Sequence, residues 1–175
     1  LLYCGEWIES HVLHIFMLHG PDFLGFPSAI EMAKAYPGLV ERGLRMKKAG
    51  NHLIECLGGR AIHPVSPRVG GFWRAPVKSE LTALVPMLER GLGEALESVA
   101  WAAALTKPSF VQDYVYVSLS SDAYPMEWGD RLEVTGRAAV SVDAFLDHFV
   151  ETHVPYSTAL QCHLTDGTPY LTGPM

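Results

Sequence analysis

Residues 3–19, YCGEWIESHVLHIFMLH, are apolar nearly all round, a pattern that predicts a buried helix rather than a surface one. That helix carries His11, His14 and His19. Gly20-Pro21 predicts its end, and Asp22 follows at once. Downstream, Ser28-Ala-Ile-Glu31 has the spacing of a capping box, in which Ser28 accepts from the Glu31 N–H and Glu31 reaches back. The short helix it opens is interrupted at Tyr36-Pro37, because a residue before proline avoids the helical region. Pro37 suits the first turn of a second helix running to about Leu57, and Gly58-Gly59 supplies a left-handed stop.

Residues 58–77 are rich in Gly, Pro and Arg and read as a long irregular loop. Ser79 is placed to cap a third helix, with apolar positions at Leu81, Leu84, Val85, Leu88, Leu92, Ala95, Leu96 and Val99. Lys107-Pro108 closes it. The period then changes. Tyr114–Leu119 and Arg131–Val134 read as strands, and 142–154 as a short helix. Leu160–Leu164 and Pro169–Thr172 read as a hairpin turning at Asp166-Gly167. The class is α+β: long antiparallel helices over 1–107, then a small mixed β part over 108–175.

Composition narrows the function. In 175 residues, 49% are hydrophobic and 18% charged, more apolar material than a free-standing domain of this size needs. A large subunit packed against partners would account for that excess, and so would a tightly packed monomer. A net charge of −6 excludes a protein that tracks nucleic acid, which needs a concentrated basic stripe. The one basic cluster, Arg42, Arg45, Lys47 and Lys48, is most simply a solvated helix face. Cys4, Cys56 and Cys162 are too widely spread for a disulfide framework, and no CxxC or HExxH occurs. With no signal segment and no apolar run of membrane-spanning length, the expectation is a cytoplasmic protein without a membrane span. The chain begins Leu1-Leu2-Tyr3-Cys4 without an initiator Met and stops just after a strand-like stretch, so it reads as an internal fragment.

Few residues are placed to carry chemistry. His11 and His14, three apart, lie on one helix face and could share a metal or a proton path, or each could be a neutral core histidine. Asp22, beside Phe23, Leu24 and Phe26, is expected in apolar surroundings that would suit proton transfer. A capping or turn aspartate is the plain alternative. In Gly58–Phe72, GGRAIHPVSPRVGGF, paired glycines and two prolines make a stiff, irregular scaffold that presents Arg60, His63 and Arg68. Two arginines could bind an anion, but no GxGxxG or GK[ST] follows a strand. Ser118, Ser120 and Ser121 lack a nucleophile elbow, so hydrolase chemistry is not expected.

In order, Ser10-His-Val-Leu-His-Ile-Phe-Met-Leu-His-Gly-Pro-Asp22, a long helix, and Gly-Gly-Arg-x-x-His-Pro-x5-Gly-Gly resemble the large (alpha) subunit of nickel–iron hydrogenases. The likeness is greatest to the soluble, multi-subunit group coupled to NAD(P), and it runs through the whole chain. It implies reversible heterolytic cleavage of H2, with electrons leaving through iron–sulfur clusters of a small partner subunit, and NAD(P)-linked diaphorase subunits beyond. It also implies a nickel–iron centre with cyanide and carbonyl ligands, held by two CxxC pairs. This sequence has neither pair, so both are expected outside residues 1–175, and these residues alone are expected to bind no nickel. By the same resemblance Asp22 belongs to a polar canopy over the metals. His63 faces the iron–sulfur subunit, while His11, His14, His19, Arg60 and Arg68 support the centre or the subunit interface. Two other readings compete: the metal-free quinone-reducing subunit of respiratory complex I, and a non-catalytic assembly module. Full exposure of both Asp22 and His63, or a place for both far from any subunit interface, would favour the module.

Overall fold

The computed structural model describes residues 1–122 and 129–173. It divides into two compact units, Leu1–Pro108 and Ser109–Met175. The first is helical. Helix α1 (Leu2–Leu13) runs into a π-helical turn (His14–His19) and a short α2 (Gly20–Phe23), followed by α3 (Ala29–Ala35), α4 (Pro37–Gly58) and α5 (Lys78–Ala104).

Gly20-Pro21 therefore does not end the first helix. A proline ring clashes with the carbonyl four residues back and offers no N–H to it. Widening the preceding turn removes both conflicts, and the Gly20 N–H reaches back five residues to the Ile15 carbonyl. The fit needs glycine: a Cβ at Gly20 would lie 2.7 Å from the Ile15 oxygen. Nor is the helix buried all round. Along 2–19 only Gly5, Val12 and Phe16 are buried. Gly5 lies against Gly50 and Ile54, while Val12 and Phe16 form a core with Met46, joined by Ile8, Leu39 and Trp101, with Phe16 stacked on Trp101 at 5.3 Å.

Helix α4 is the hub. It crosses α1 where Gly5 meets Gly50, backbone against backbone. Its basic cluster is only partly a solvated face: Lys48 is exposed, but the other three residues reach neighbouring helices. Arg42 pairs with Glu97 at 2.8 Å, Arg45 with Glu94 at 2.8 Å and Lys47 with Glu9 at 2.6 Å, tying α4 to α5 and α1. The Glu9–Lys47 pair is only about a fifth exposed on either side, so it is screened less than a surface pair. Ser28 caps α3 as expected, accepting from the Glu31 N–H, but the Glu31 carboxylate grips Lys34 instead of reaching back. Pro37 opens α4, and Gly59, at φ 80°, stops it.

The stretch 58–77 is less irregular than its composition suggests: β1 (Pro67–Arg68) and β2 (Gly71–Phe72) make a tight antiparallel hairpin. Helix α5 starts two residues earlier than Ser79 would set it. Val77 is the N-cap residue, and its N–H donates to the Glu80 carboxylate at 3.0 Å. That bond, reinforced by Arg74, holds the Glu80 carboxyl below its ordinary pKa. Lys107 closes the other end by donating to the carbonyls of Ala102, Ala103 and Leu105.

The second unit is built from β3 (Val117–Ser120), β4 (Arg131–Val134) and β5 (Val140–Ser141) in one antiparallel sheet. A hairpin of β6 (Phe149–Val154) and β7 (Ser157–Leu164) forms a second. Val117, Val134, Phe149 and Leu164 are its buried core. Two expectations fail here. The helix expected over 142–154 shrinks to a 3-10 turn (Val142–Ala144) and α6 (Phe145–His148), and Phe149–Val154 is strand. The main partner of Leu160–Leu164 is β6, and the expected pairing with 169–172 is reduced to a single antiparallel bridge, His163 with Pro169. Asp166-Gly167 does turn the chain, but Pro169 has no N–H for a ladder, and Leu171 bonds across to Val115 and Val117 instead.

Candidate functional site

The π-helical turn decides which histidines meet. Of the two readings of His11, the structure matches the histidine bonded to a backbone carbonyl: its Nδ1 lies 2.8 Å from the Trp7 carbonyl, one turn back in its own helix. His11 also lines an apolar groove of about 330 Å³ with Ile8, Ile15 and Val99. His14 instead packs edge-on against His19, with ring centroids 4.1 Å apart. Residues five apart point in different directions on an α-helix; the wider π turn brings them onto one face. The Nδ1 of His19 lies 4.0 Å from Asp22. So the structure brings together His14, His19 and Asp22, on the outside of the bundle.

Asp22 is not in apolar surroundings in this chain. Pro21 turns inward and is buried, which leaves Asp22 pointing outward with its side chain 73% exposed.

The second candidate region is 58–74. The carbonyl of Gly58 accepts from the N–H groups of Val65 and Ser66, both at 2.9 Å, and closes the loop on itself. Buried Ser66 bonds to both the N–H and the carbonyl of Arg74. Arg60 folds back, its Nε donating to the Ile62 and His63 carbonyls and its Nη2 to the His63 carbonyl. Arg68 lies over the Trp73 ring, 4.6 Å from its centroid. The two guanidiniums are thus engaged separately, one by its own loop and one by an indole ring. His63 is exposed.

Two residues that the motifs did not single out stand beside His63. Glu6 and Glu9 of α1 line a cavity of about 220 Å³ with His63, Pro64 and Ile54. Their three-residue spacing put them on one helix face, but nothing local tied that face to a loop fifty residues away.

A nickel–iron centre does not fit the residues present. Cys4, Cys56 and Cys162 are all free thiols. Among the described residues no three His, Cys, Asp or Glu side chains are grouped to hold a metal ion. No helix among them is long and apolar enough to cross a membrane.

Comparison with known proteins gives a consistent picture. No family model matches the chain. The alpha subunit of sulfhydrogenase 1 from Pyrococcus furiosus is 31% identical over 99% of this chain and 41% of its own length. The alpha subunit of sulfhydrogenase 2 from the same organism is 34% identical over 75% of this chain and 31% of its own length. The corresponding subunit of the vhu F420-non-reducing hydrogenase of Methanocaldococcus jannaschii is 26% identical over 90% of the chain and 42% of its own length. Among solved structures, an NAD+-reducing [NiFe]-hydrogenase in its H2-reduced state superposes with a TM-score of 0.79, at 21% identity. That match covers 94% of this chain and 41% of the other, and it establishes the α+β hydrogenase-subunit fold. The chain spans about two fifths of the length of the relatives it matches over nearly its whole extent.

Proposed function

Because the chain belongs to the nickel–iron hydrogenase large (alpha) subunit family, we propose that it is an internal segment of a subunit that cleaves H2 reversibly to protons and electrons. The observation that carries this reading is likeness to hydrogenase alpha subunits along 99% of the chain, through both motif regions. The metal centre, with cyanide and carbonyl on the iron, belongs to parts of the subunit outside residues 1–175. The segment's own share is scaffold, one carboxylate and one loop. Asp22, in α2 just after the π turn, serves as the canopy carboxylate that holds or passes a proton, with His19 beside it. The 58–74 loop faces a small iron–sulfur subunit, and NAD(P)-linked diaphorase subunits complete a cytoplasmic complex.

Asp22 and His63 are exposed in this chain, Asp22 by 73% of its side chain, which falls short of the full exposure that an assembly module would show. The hydrogenase reading is supported by the chain's relatives, and by how much apolar surface lies open beside these residues. Leu18, Phe23, Ile62 and Val65 are all more than two fifths exposed. A surface of that kind in water calls for further protein over it, and subunits more than twice as long can supply that cover.

The test is Asp22→Asn in the full-length subunit. It is expected to lower hydrogen-dependent dye reduction by about a hundredfold, in the range of a lost proton-transfer group, while nickel content stays at the parent level. Unchanged turnover would remove Asp22 from the reaction.

A further inference from the structure

We infer that Arg60 is a positioning residue, whose guanidinium holds His63 in a left-handed backbone conformation and so fixes where the imidazole points. The inference rests on the reading of His63 as facing the iron–sulfur subunit.

His63 has φ 53°, and among the described residues it is the only non-glycine residue with positive φ. Its position makes this more unusual, because Pro64 follows. A residue before proline is already confined toward extended backbone by the proline ring. Histidine visits the left-handed region more often than most residues, but the following proline opposes it, and the surrounding bonds hold it there. Arg60 is the group that does so. Its Nε donates to the Ile62 carbonyl at 2.7 Å and to the His63 carbonyl at 3.0 Å, and Nη2 donates to the His63 carbonyl at 2.7 Å. The fork spans two consecutive carbonyls on either side of the strained φ. A lysine ammonium is a point donor and lacks that planar grip.

Both ends of the strained stretch are anchored. Gly58 closes the loop through Val65 and Ser66. The outcome is an exposed imidazole at the mouth of the cavity it shares with Glu6 and Glu9, where Glu9 is already paired with Lys47. An unstrained His63 would point elsewhere, because a change of φ from positive to negative swings Cβ to another side of the chain.

The test uses the complete hydrogenase complex and two readouts. Exchange of deuterium gas with water needs no electron to leave the large subunit; hydrogen-driven reduction of the acceptor does. Arg60→Lys and His63→Gln are each expected to lower acceptor reduction by about tenfold with exchange within about twofold of the parent, as when an orienting partner is lost. The double variant should be no worse than the poorer single one. Loss with His63→Gln but not with Arg60→Lys would overturn the clamp and leave the loop's role standing. If His63→Gln changes neither readout, the reading of the loop fails instead. A complex that does not assemble with Arg60→Lys also overturns the inference, since the arginine would then hold the fold and not the imidazole.

Discussion

At the scale of single residues, the chemistry of this chain lies in how side chains are held rather than in which types occur. Asp166 shows it outside the candidate site. Its carboxylate accepts from the Thr168 N–H at 3.0 Å and from Arg137 at 2.7 Å, while Arg137 also donates to the Thr168 hydroxyl. Thr168 first, then Arg137, hold the carboxyl far below its ordinary value of 3.8. The sign of the pH effect follows. A depressed folded pKa stabilises the fold above the ordinary value, and that contribution is lost as pH falls through the window below it. The group is exposed, so the effect is modest. Asp166→Asn should lower the melting temperature of the chain at pH 7, and the gap to the parent should narrow steadily below about pH 4. Melting curves taken from neutral to acid pH would show it; a gap that stays constant would mean that Asp166 carries no such load. The same contrast governs the candidate site. Asp22, His63 and their neighbours were legible as residue types at family spacing. That Arg60 bonds its own loop, or that His14 turns to His19, depends on backbone that composition does not report.

At the scale of elements, the close crossing of α1 and α4 is the most demanding contact. A Cβ at Gly50 would lie 2.7 Å from both the Glu9 nitrogen and the Gly5 oxygen. Both are backbone atoms, which cannot rotate away, so the helices must separate. Gly50→Ala should therefore destabilise the chain by about 1–3 kcal/mol, the usual range for overpacking. Gly38, in the first turn of the same helix, has nothing within 4 Å of where a methyl would stand. There the same change should stabilise by up to about 1 kcal/mol through helix propensity alone. Opposite shifts in urea midpoints would establish the crossing; two stabilising alanines would refute it. The sequence marks α4 clearly by its start at Pro37 and its stop at Gly59, but not which face meets α1. It misleads at two places for physical reasons. Gly20-Pro21 is ordinarily a helix end, and only a π turn lets the helix pass. Phe149–Val154 follows α6 without a Gly or Pro to mark a break, and its strand conformation comes from pairing with Ser157–Leu164, a partner no local pattern announces.

At the scale of the whole molecule, the order of elements and the two motif regions were enough to recognise the family, because both survive without the metal ligands. The apolar excess in the composition has its counterpart on α5. Val85, Leu92, Leu96 and Val99 repeat at helical spacing, which predicts a core-facing stripe. They are instead 45%, 64%, 66% and 68% exposed, while Ser98 is the residue of that helix that is buried against α4. A stripe of that length is too regular to be scattered surface leucines, and water is an unfavourable neighbour for it. Each large side chain left in solvent forgoes roughly 1.5–3 kcal/mol of burial, so the 175 residues on their own have a strong incentive to cover the stripe with another copy. The chain expressed alone should therefore self-associate, and Leu92→Lys with Leu96→Glu should return it to a monomer with its helix content unchanged. Sedimentation velocity with circular dichroism would distinguish the cases. A wild-type chain that stays monomeric at tens of micromolar, the range where exposed apolar surface usually drives association, would show that the stripe needs no cover. A charged double variant that loses its helices would show that the stripe is already packed within the segment.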